Sequence, residues 1–214
     1  MLSGIIFDMD GVIVDSEPFI CEAAIRMFAE MGHTVKPDDF LPFVGAGENR
    51  YVGGPAEKYG IQINVEKAKN RTYELYAEIV KGRLKTLPGV HQFIEKARSR
   101  GLKLAVASAA DLVKVRINLT EVGLTDEIFD AVVSGSDVEK KKPDPEIFIL
   151  AAHKLGLPSE GCLVVEDAVN GVRAAKSAGS KCLALTTTFS ADQLTLADWI
   201  APDLAHAPEE CLEW

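Results

Sequence analysis

The stretch that most constrains this chain is residues 4–17, where two carboxylates directly follow a short apolar run. The run 5–7 (Ile-Ile-Phe) has the composition of a strand that is buried on both faces. Asp8 and Asp10 come next, and residues two apart in extended chain project to the same side. Gly11 then allows a sharp turn. Since two like charges this close need a cation in a dry site, the stretch predicts half of a metal site at a strand end.

Length and composition place the chain among ordinary soluble proteins. Its 214 residues, 47% hydrophobic and 26% charged, suit one to two domains. No apolar run approaches the ~18 residues that a bilayer span needs, and Asp8 interrupts the first apolar segment too early for a signal peptide. A net charge of −9 argues against nucleic acid or an anionic membrane as partner. We therefore expect a cytoplasmic protein, and we expect it to be a monomer.

The four cysteines are scattered and form no CxxC motif. Two of them, Cys162 and Cys182, fall inside apolar runs that resemble strands. This pattern favours free thiols in a reducing compartment over a disulfide framework.

The pattern of predicted secondary structure changes near residue 86. Residues 16–85 carry helical periodicity and no credible strand, whereas strands and helices alternate from there to the C-terminus. Such alternation predicts right-handed crossovers and a parallel sheet. The expected fold is α/β: a doubly wound, Rossmann-like parallel sheet core (residues 1–14 and 86–214) with a helical cap domain (residues 15–85) inserted after the first strand.

Each of the first four predicted strands is followed by polar or charged residues of the kinds found in catalytic sites. The first is followed by the two acids, the second by Ser108, the third by the lysines 140–142, and the fourth by Glu166 and Asp167. In open parallel sheets the ligand site lies at the carboxyl ends of the strands. The sequence thus predicts that acids, a hydroxyl and a lysine meet at one edge.

Taken in order, these motifs resemble those of the haloacid dehalogenase superfamily of phosphotransferases. The motifs are Asp8-x-Asp10-Gly11, Ser108, Lys142-Pro143 and Glu166-Asp167. The longer segments DMDGVIVDSE, KPDPEIF and VVEDAVNGVRAAKSAG resemble its β-phosphoglucomutase and phosphoglycolate phosphatase branch. The resemblance covers the whole core, and the helical insert stands where that branch carries its cap. Asp10 and the acids at 166–167 favour phosphoryl transfer over dehalogenation, which uses neither a second acid nor a metal.

The resemblance implies a role for the acids. Asp8 would attack phosphorus and form an aspartyl-phosphate. Asp10 would protonate the leaving alcohol and then activate water. Mg²⁺ would be held by the Asp8 side chain, the Asp10 carbonyl, Glu166 and Asp167.

The resemblance also implies an anion-binding group and a substrate class. Ser108 and the Ala109 N–H would bind phosphoryl oxygens at a helix start. Lys142 would stabilise the transferring phosphoryl group and pair with Asp8. The substrate would be a small phosphorylated metabolite.

Ordinary structural roles compete with these assignments. An EF-hand loop is a poor alternative for the first motif, because Gly11 is fourth from Asp8 where that loop needs glycine at its sixth position. Ser108 could be a helix N-cap, and the acids at 166–167 could cap the next helix. Lysines 140–142 could be a solvated run, with Lys141 as the alternative to Lys142.

Substrate choice is expected to lie in the helical segment. The loop 43–50 falls where the family places its specificity loop, so Arg50 is a candidate to bind a second anionic group. Lys69 and Arg71, further along the segment, are additional candidates. Ile20 stands near the position of a histidine in the mutase-like members, and Arg50 is out of register by one with their basic residue. We therefore predict a Mg²⁺-dependent phosphatase acting on a sugar phosphate or a phosphoglycolate-like ester. The alternatives are a β-phosphoglucomutase-like mutase and a non-enzymatic binding protein.

Overall fold

A computed structural model describes residues 1–44, 47–125 and 127–214. These residues form a six-stranded sheet in the order β3-β2-β1-β4-β5-β6, with every neighbouring pair parallel. The strands are β1 (Gly4–Phe7), β2 (Lys103–Ala107), β3 (Ala131–Val133), β4 (Cys162–Glu166), β5 (Lys181–Leu185) and β6 (Trp199–Ala201). The strand that carries the two acids is therefore central, as expected.

Helices cover both faces of the sheet. They are α1 (Glu17–Glu30), α2 (Glu48–Tyr59), α3 (Val65–Val80), α4 (Val90–Ser99), α5 (Leu112–Glu121), α6 (Glu146–Leu155) and α7 (Val169–Ser177). Side chains of β1 alternate between two apolar cores: Ile5 and Phe7 pack in one, and Ile6 packs in the other. Burial on both faces explains why the first strand is a continuous apolar run. The predicted α/β fold is confirmed.

The helical insert, defined here as residues 15–85, carries α1, α2 and α3 between β1 and β2. Helix α1 packs against α3, and α3 also contacts α5 of the core. An isolated antiparallel bridge joins Val14 to Thr86, so the chain leaves and re-enters the core at one place. That the insert is a separate cap domain stays a prediction.

Two further expectations concern cysteines and membranes. All four cysteines are free thiols, three of them buried, as the sequence predicted. Among the described residues, no helix combines the length and the apolar character that crossing a bilayer requires.

The centre of the larger core is a group of three aromatic rings around β1. The Phe7 ring meets that of Phe93 at a centroid distance of 6.1 Å and that of Phe129 at 6.2 Å, both edge to face. Phe7 is fully buried, so Phe7→Ala is expected to lower the free energy of unfolding by about 3–5 kcal/mol. Chemical denaturation measures this change.

The matched control is Leu196→Ala, since Leu196 is 58% exposed. It should change the free energy of unfolding by no more than about 0.5 kcal/mol. A similar loss in both variants would contradict the central place of the Phe7 cluster.

Candidate active site

Three neighbouring strands bring the predicted site residues to one edge of the sheet. The Asp8 N–H donates to the carbonyl of Val165 at 2.9 Å, and the Ser108 N–H donates to the carbonyl of Val133 at 3.0 Å. The chain thus stays in register with the sheet up to the catalytic candidates. They line a cavity of about 840 Å³ together with residues of the helical insert.

Asp8 is a buried carboxylate that forms an ion pair with a lysine. Lys142 Nζ lies 2.5 Å from Asp8 Oδ1 and 2.6 Å from Glu166 Oε1. Burial disfavours the ammonium ion, but the carboxylates of Asp8 and Glu166 outweigh that effect and raise the pKa of Lys142. Burial raises the pKa of Asp8 to about 7, although Lys142 opposes the shift. The Asp8 site is therefore short of positive charge despite its lysine.

Asp167 places another carboxylate near Asp8 in the cavity wall. Burial, reinforced by the charges of Glu166 and Asp8, raises the pKa of Asp167 to about 8. Its Oδ2 lies 1.9 Å from where a Cβ on Gly11 would be, and Gly11 has a φ of +76°. Only glycine allows this close approach together with the turn. Asp8, Gly11 and Asp167 thus converge, as the sequence predicted.

Both oxygens of Asp10 are held by neighbouring side chains. Ser16 Oγ donates a hydrogen bond to Oδ1, and Lys114 Nζ lies 2.9 Å from Oδ2. Ser16 is the N-cap residue of α1, but its side chain makes no capping bond and binds Asp10 instead. The carboxylate is fixed in orientation at the cavity wall.

The anion-binding candidates follow β2. Ser108 is 2% exposed, its Oγ accepts a hydrogen bond from the Ala110 N–H at 3.2 Å, and both Ser108 and Ala109 line the cavity. The residue that precedes α5 as its N-cap is Asp111. Ser108 is therefore not simply a helix cap.

The lysine run divides as expected. Lys140 is solvated, with 72% of its side chain exposed. Lys141 Nζ donates to the carbonyl of Gly135, and Lys142 is the one that contacts Asp8. The structure thus places Lys142, and not its alternative Lys141, beside the proposed nucleophile.

Glu166 holds the lysine and the start of the next helix. Its Oε1 is bound by Lys142, and its Oε2 accepts the N–H groups of Asp167 and Ala168, both at 2.8 Å. Three of the roughly four acceptor sites of the carboxylate are thus in use. Its assignment as a metal ligand stays a prediction.

The cationic candidates of the insert do not reach the cavity. Arg50 lies 2.9 Å from Glu57 with 53% of its side chain exposed, and Lys69 lies 2.9 Å from Asp111 of the core. Neither of them, nor Arg71, is among the residues that line the cavity. Both are therefore corrected: Arg50 forms a surface ion pair and Lys69 ties the insert to the core.

Lys114 is the residue that sequence reasoning missed. It is 4% exposed and lines the cavity. Burial lowers its pKa, but the charges of Asp10 and Glu48 prevail, so that the pKa is raised. The available signal was the buried stripe of α5, where Lys114 and Asn118 alternate with Val115 and Leu119. Polar residues on the apolar side of a helix point to a specific partner.

Comparison with known proteins agrees with this geometry. Residues 5–185 match the family model described as haloacid dehalogenase-like hydrolase. A phosphorylated carbohydrates phosphatase of Thermotoga maritima is 34% identical over 83% of this chain and 82% of its own length. The chloroplastic protein SUPPRESSOR OF QUENCHING 1 of Arabidopsis thaliana is 42% identical over 88% of this chain, which spans only 18% of that relative.

A solved structure is similar along its whole length. The crystal structure of a CbbY mutant from Rhodobacter sphaeroides in complex with xylulose-(1,5)bisphosphate superimposes with a TM-score of 0.85. The identity is 26%, and the match covers 96% of each chain. The matched model and the relative named as a phosphatase confirm the expected enzyme class. The chain belongs to the haloacid dehalogenase-like hydrolase family.

Proposed function

We propose that this chain is a Mg²⁺-dependent phosphatase that hydrolyses a small phosphate monoester through an aspartyl-phosphate. A buried Asp8 carboxylate, held on one oxygen by Lys142 and facing a cavity of about 840 Å³, is the observation that carries this proposal. Such a carboxylate suits nucleophilic attack, since the lysine both orients it and offsets the negative charge of an incoming phosphoryl group.

The first half of the reaction cleaves the ester. The free oxygen of Asp8 forms a bond to phosphorus while the bond from phosphorus to the ester oxygen breaks. Protonated Asp10 gives its proton to that oxygen, and the alcohol leaves. Ser108, the Ala109 N–H and Lys142 bind the phosphoryl oxygens during transfer.

The second half hydrolyses the aspartyl-phosphate. Asp10, now a carboxylate, accepts a proton from a water molecule, whose oxygen attacks phosphorus. The bond between phosphorus and Asp8 breaks, which restores the Asp8 carboxylate and releases inorganic phosphate. Ser16 and Lys114 keep Asp10 aimed at the reacting atoms in both halves.

The residues present suit Mg²⁺. In the described part of the chain, no group of three or more His, Cys, Asp or Glu side chains is placed so that it could hold a metal ion. Mg²⁺ needs no such cage, because it keeps several waters and uses one or two carboxylates. Asp8, Asp167 and the Asp10 carbonyl would hold it, and the raised pKa values of both carboxylates mark a site short of a cation. When bound, the ion neutralises charge on the phosphoryl group.

Hydrolysis is favoured over mutase activity by the insert wall of the cavity. Ile20 lines the cavity where mutase-like members carry a histidine, and no histidine is among the described lining residues. The wall thus lacks an imidazole to take up a sugar hydroxyl proton. A cytoplasmic location and a monomeric state stay predictions.

Lys114 is expected to act as a positioning residue for Asp10. Lys114→Met removes the cation on Oδ2, so kcat should fall by roughly 10–100-fold while KM changes little. Lys114→Arg should restore part of the activity, because a guanidinium can still bind the carboxylate. Steady-state kinetics on a single phosphate ester measures all three proteins.

Lys69→Met is the matched control for that experiment. Lys69 is also a largely buried lysine between the insert and α5, but its partner is Asp111. An equal loss of kcat in both lysine variants would show that the effect comes from the interface and not from Asp10.

The raised pKa values predict how metal binding depends on pH. In the metal-free protein, burial gives Asp8 and Asp167 folded-state pKa values of about 7 and about 8, against 3.8 for an aspartate exposed to water. Their stabilising contribution is therefore complete below about pH 4 and is lost as the pH rises through 7 to 8. Mg²⁺ binds the ionised carboxylates, so the increase in Tm on adding Mg²⁺ should be larger at pH 8 than at pH 5.

Thermal unfolding with EDTA or with Mg²⁺, at both pH values, measures this effect. Asp167→Asn should reduce the increase in Tm that Mg²⁺ causes at pH 8. Asp192→Asn, which removes an exposed acid outside the cavity, should leave that increase unchanged. An increase in Tm on adding Mg²⁺ that is the same at both pH values would count against these two carboxylates as ligands.

The proposed function is tested with a panel of phosphate esters in the presence of Mg²⁺. Release of inorganic phosphate should be lost in Asp8→Asn and on adding EDTA, and should fall by roughly 10²–10⁴-fold in Asp10→Asn. Sugar phosphate isomers are followed in the same samples by chromatography. Isomer formation without net phosphate release would favour the mutase. If no ester of the panel reacts and calorimetry detects no Mg²⁺ binding, a non-enzymatic binding protein would be favoured.

A further inference from the structure

The wall that the helical insert contributes to the cavity is acidic. Of the described residues on this wall, the charged ones are Asp15, Glu17 and Glu48. Gly45 and Ala46, which lie outside the described part of the chain, have no charged side chain. The insert therefore presents negative charge to whatever part of a substrate lies beyond the phosphoryl group.

Glu17 and Glu48 are built into this wall. The Glu17 carboxylate accepts a hydrogen bond from the Tyr51 hydroxyl at 2.6 Å, and Tyr51 is itself 5% exposed. Glu48 lies in the first turn of α2, close enough to Lys114 for their charges to interact. Burial raises the pKa of both glutamates, as expected for carboxylates withdrawn from water.

The cations that line the cavity already have partners. Lys142 is shared by Asp8 and Glu166, Lys114 is paired with Asp10, and Lys141 donates to a backbone carbonyl. All three belong to the core and not to the insert, and two of them, Lys142 and Lys114, are paired with the proposed nucleophile and its acid. They leave the insert wall without a positive charge of its own.

Arg50 and Lys69, two basic residues of the insert predicted to bind an anion, add no positive charge to the cavity wall. Arg50 is bound to Glu57 at 2.9 Å, and its guanidinium lies 5.3 Å from the centre of the Phe43 ring. Lys69 is bound to Asp111 and Glu66. A second phosphate or carboxylate on the substrate would therefore face the carboxylates of Glu17 and Glu48, while Lys114, whose charge interacts with both, is already paired with Asp10.

We propose that the cavity selects phosphate monoesters with an uncharged, hydroxyl-bearing leaving group, and that Glu17 and Glu48 disfavour esters carrying a second anionic group. Carboxylates in this position accept hydrogen bonds from hydroxyl groups and repel anions. The inference rests on the proposed phosphatase function. It separates this chain from the structurally similar CbbY, which was crystallised with a bisphosphate.

The test compares the monophosphate of an uncharged hexose, the corresponding hexose bisphosphate and phosphoglycolate as substrates. The monophosphate should have a kcat/KM at least roughly tenfold higher than either competitor that carries a second anionic group, as a like charge nearby predicts. Glu48→Lys should shift the ratio toward the bisphosphate by roughly tenfold or more. Glu78→Lys makes the same change of charge on the exposed face of α3, away from the cavity, and should leave the ratio unchanged.

Binding separates this inference from the proposed function. Calorimetry with the Asp8→Asn variant measures the affinities of the hexose monophosphate and bisphosphate without turnover, and the monophosphate should bind more tightly. If no ester is hydrolysed but the binding preference holds, the phosphatase assignment fails and the selectivity stands. If the bisphosphate binds or reacts as well as the monophosphate, or if neither binds, the selectivity is overturned.

Discussion

The site depends on one buried ammonium group that lies between two buried carboxylates. Lys142 joins Asp8, at the end of β1, to Glu166, at the end of β4. Removing one partner of such a buried pair costs roughly 3–5 kcal/mol, because the remaining charge is left uncompensated. The ion pairs therefore fix the two strand ends and hold the nucleophile ready at the same time. Glu166, which brings no reactive group to the substrate, is as necessary to this arrangement as Asp8.

Much of the fold and the centre of the site followed from the sequence, for reasons that are visible in the structure. The first strand is apolar without alternation because Ile5, Ile6 and Phe7 are buried on both faces of a central strand. A parallel sheet then brings its strand ends to one edge, so residues as distant in sequence as Asp8 and Asp167 meet. Glycine at position 11 follows from the turn and from the Asp167 carboxylate that lies against it.

The remaining features depend on how single side chains are paired, which a linear pattern does not determine. Arg50 and Lys69 were plausible ligands for an anion, but they pair with Glu57 and Asp111, and neither lines the cavity. The position of Lys114 as the partner of Asp10 depends on the packing of α5 against the rest of the core, 104 residues away in sequence. The same holds for Ser16, whose hydroxyl could serve either a helix end or a carboxylate.

The distribution of polar contacts has a consequence for how such a protein can diversify. The Lys114–Asp10 pair lies within the core, the Glu17–Tyr51 pair lies within the insert, and bonds such as Tyr76–Asn118 and Lys69–Asp111 join the two. A swing of the insert away from the sheet would break only the joining bonds and leave each pair intact. If the insert is the separate cap that the sequence predicts and sets the proposed selectivity, mutations in the insert would alter the preferred metabolite, while the Lys114–Asp10 pair of the core would be inherited unchanged.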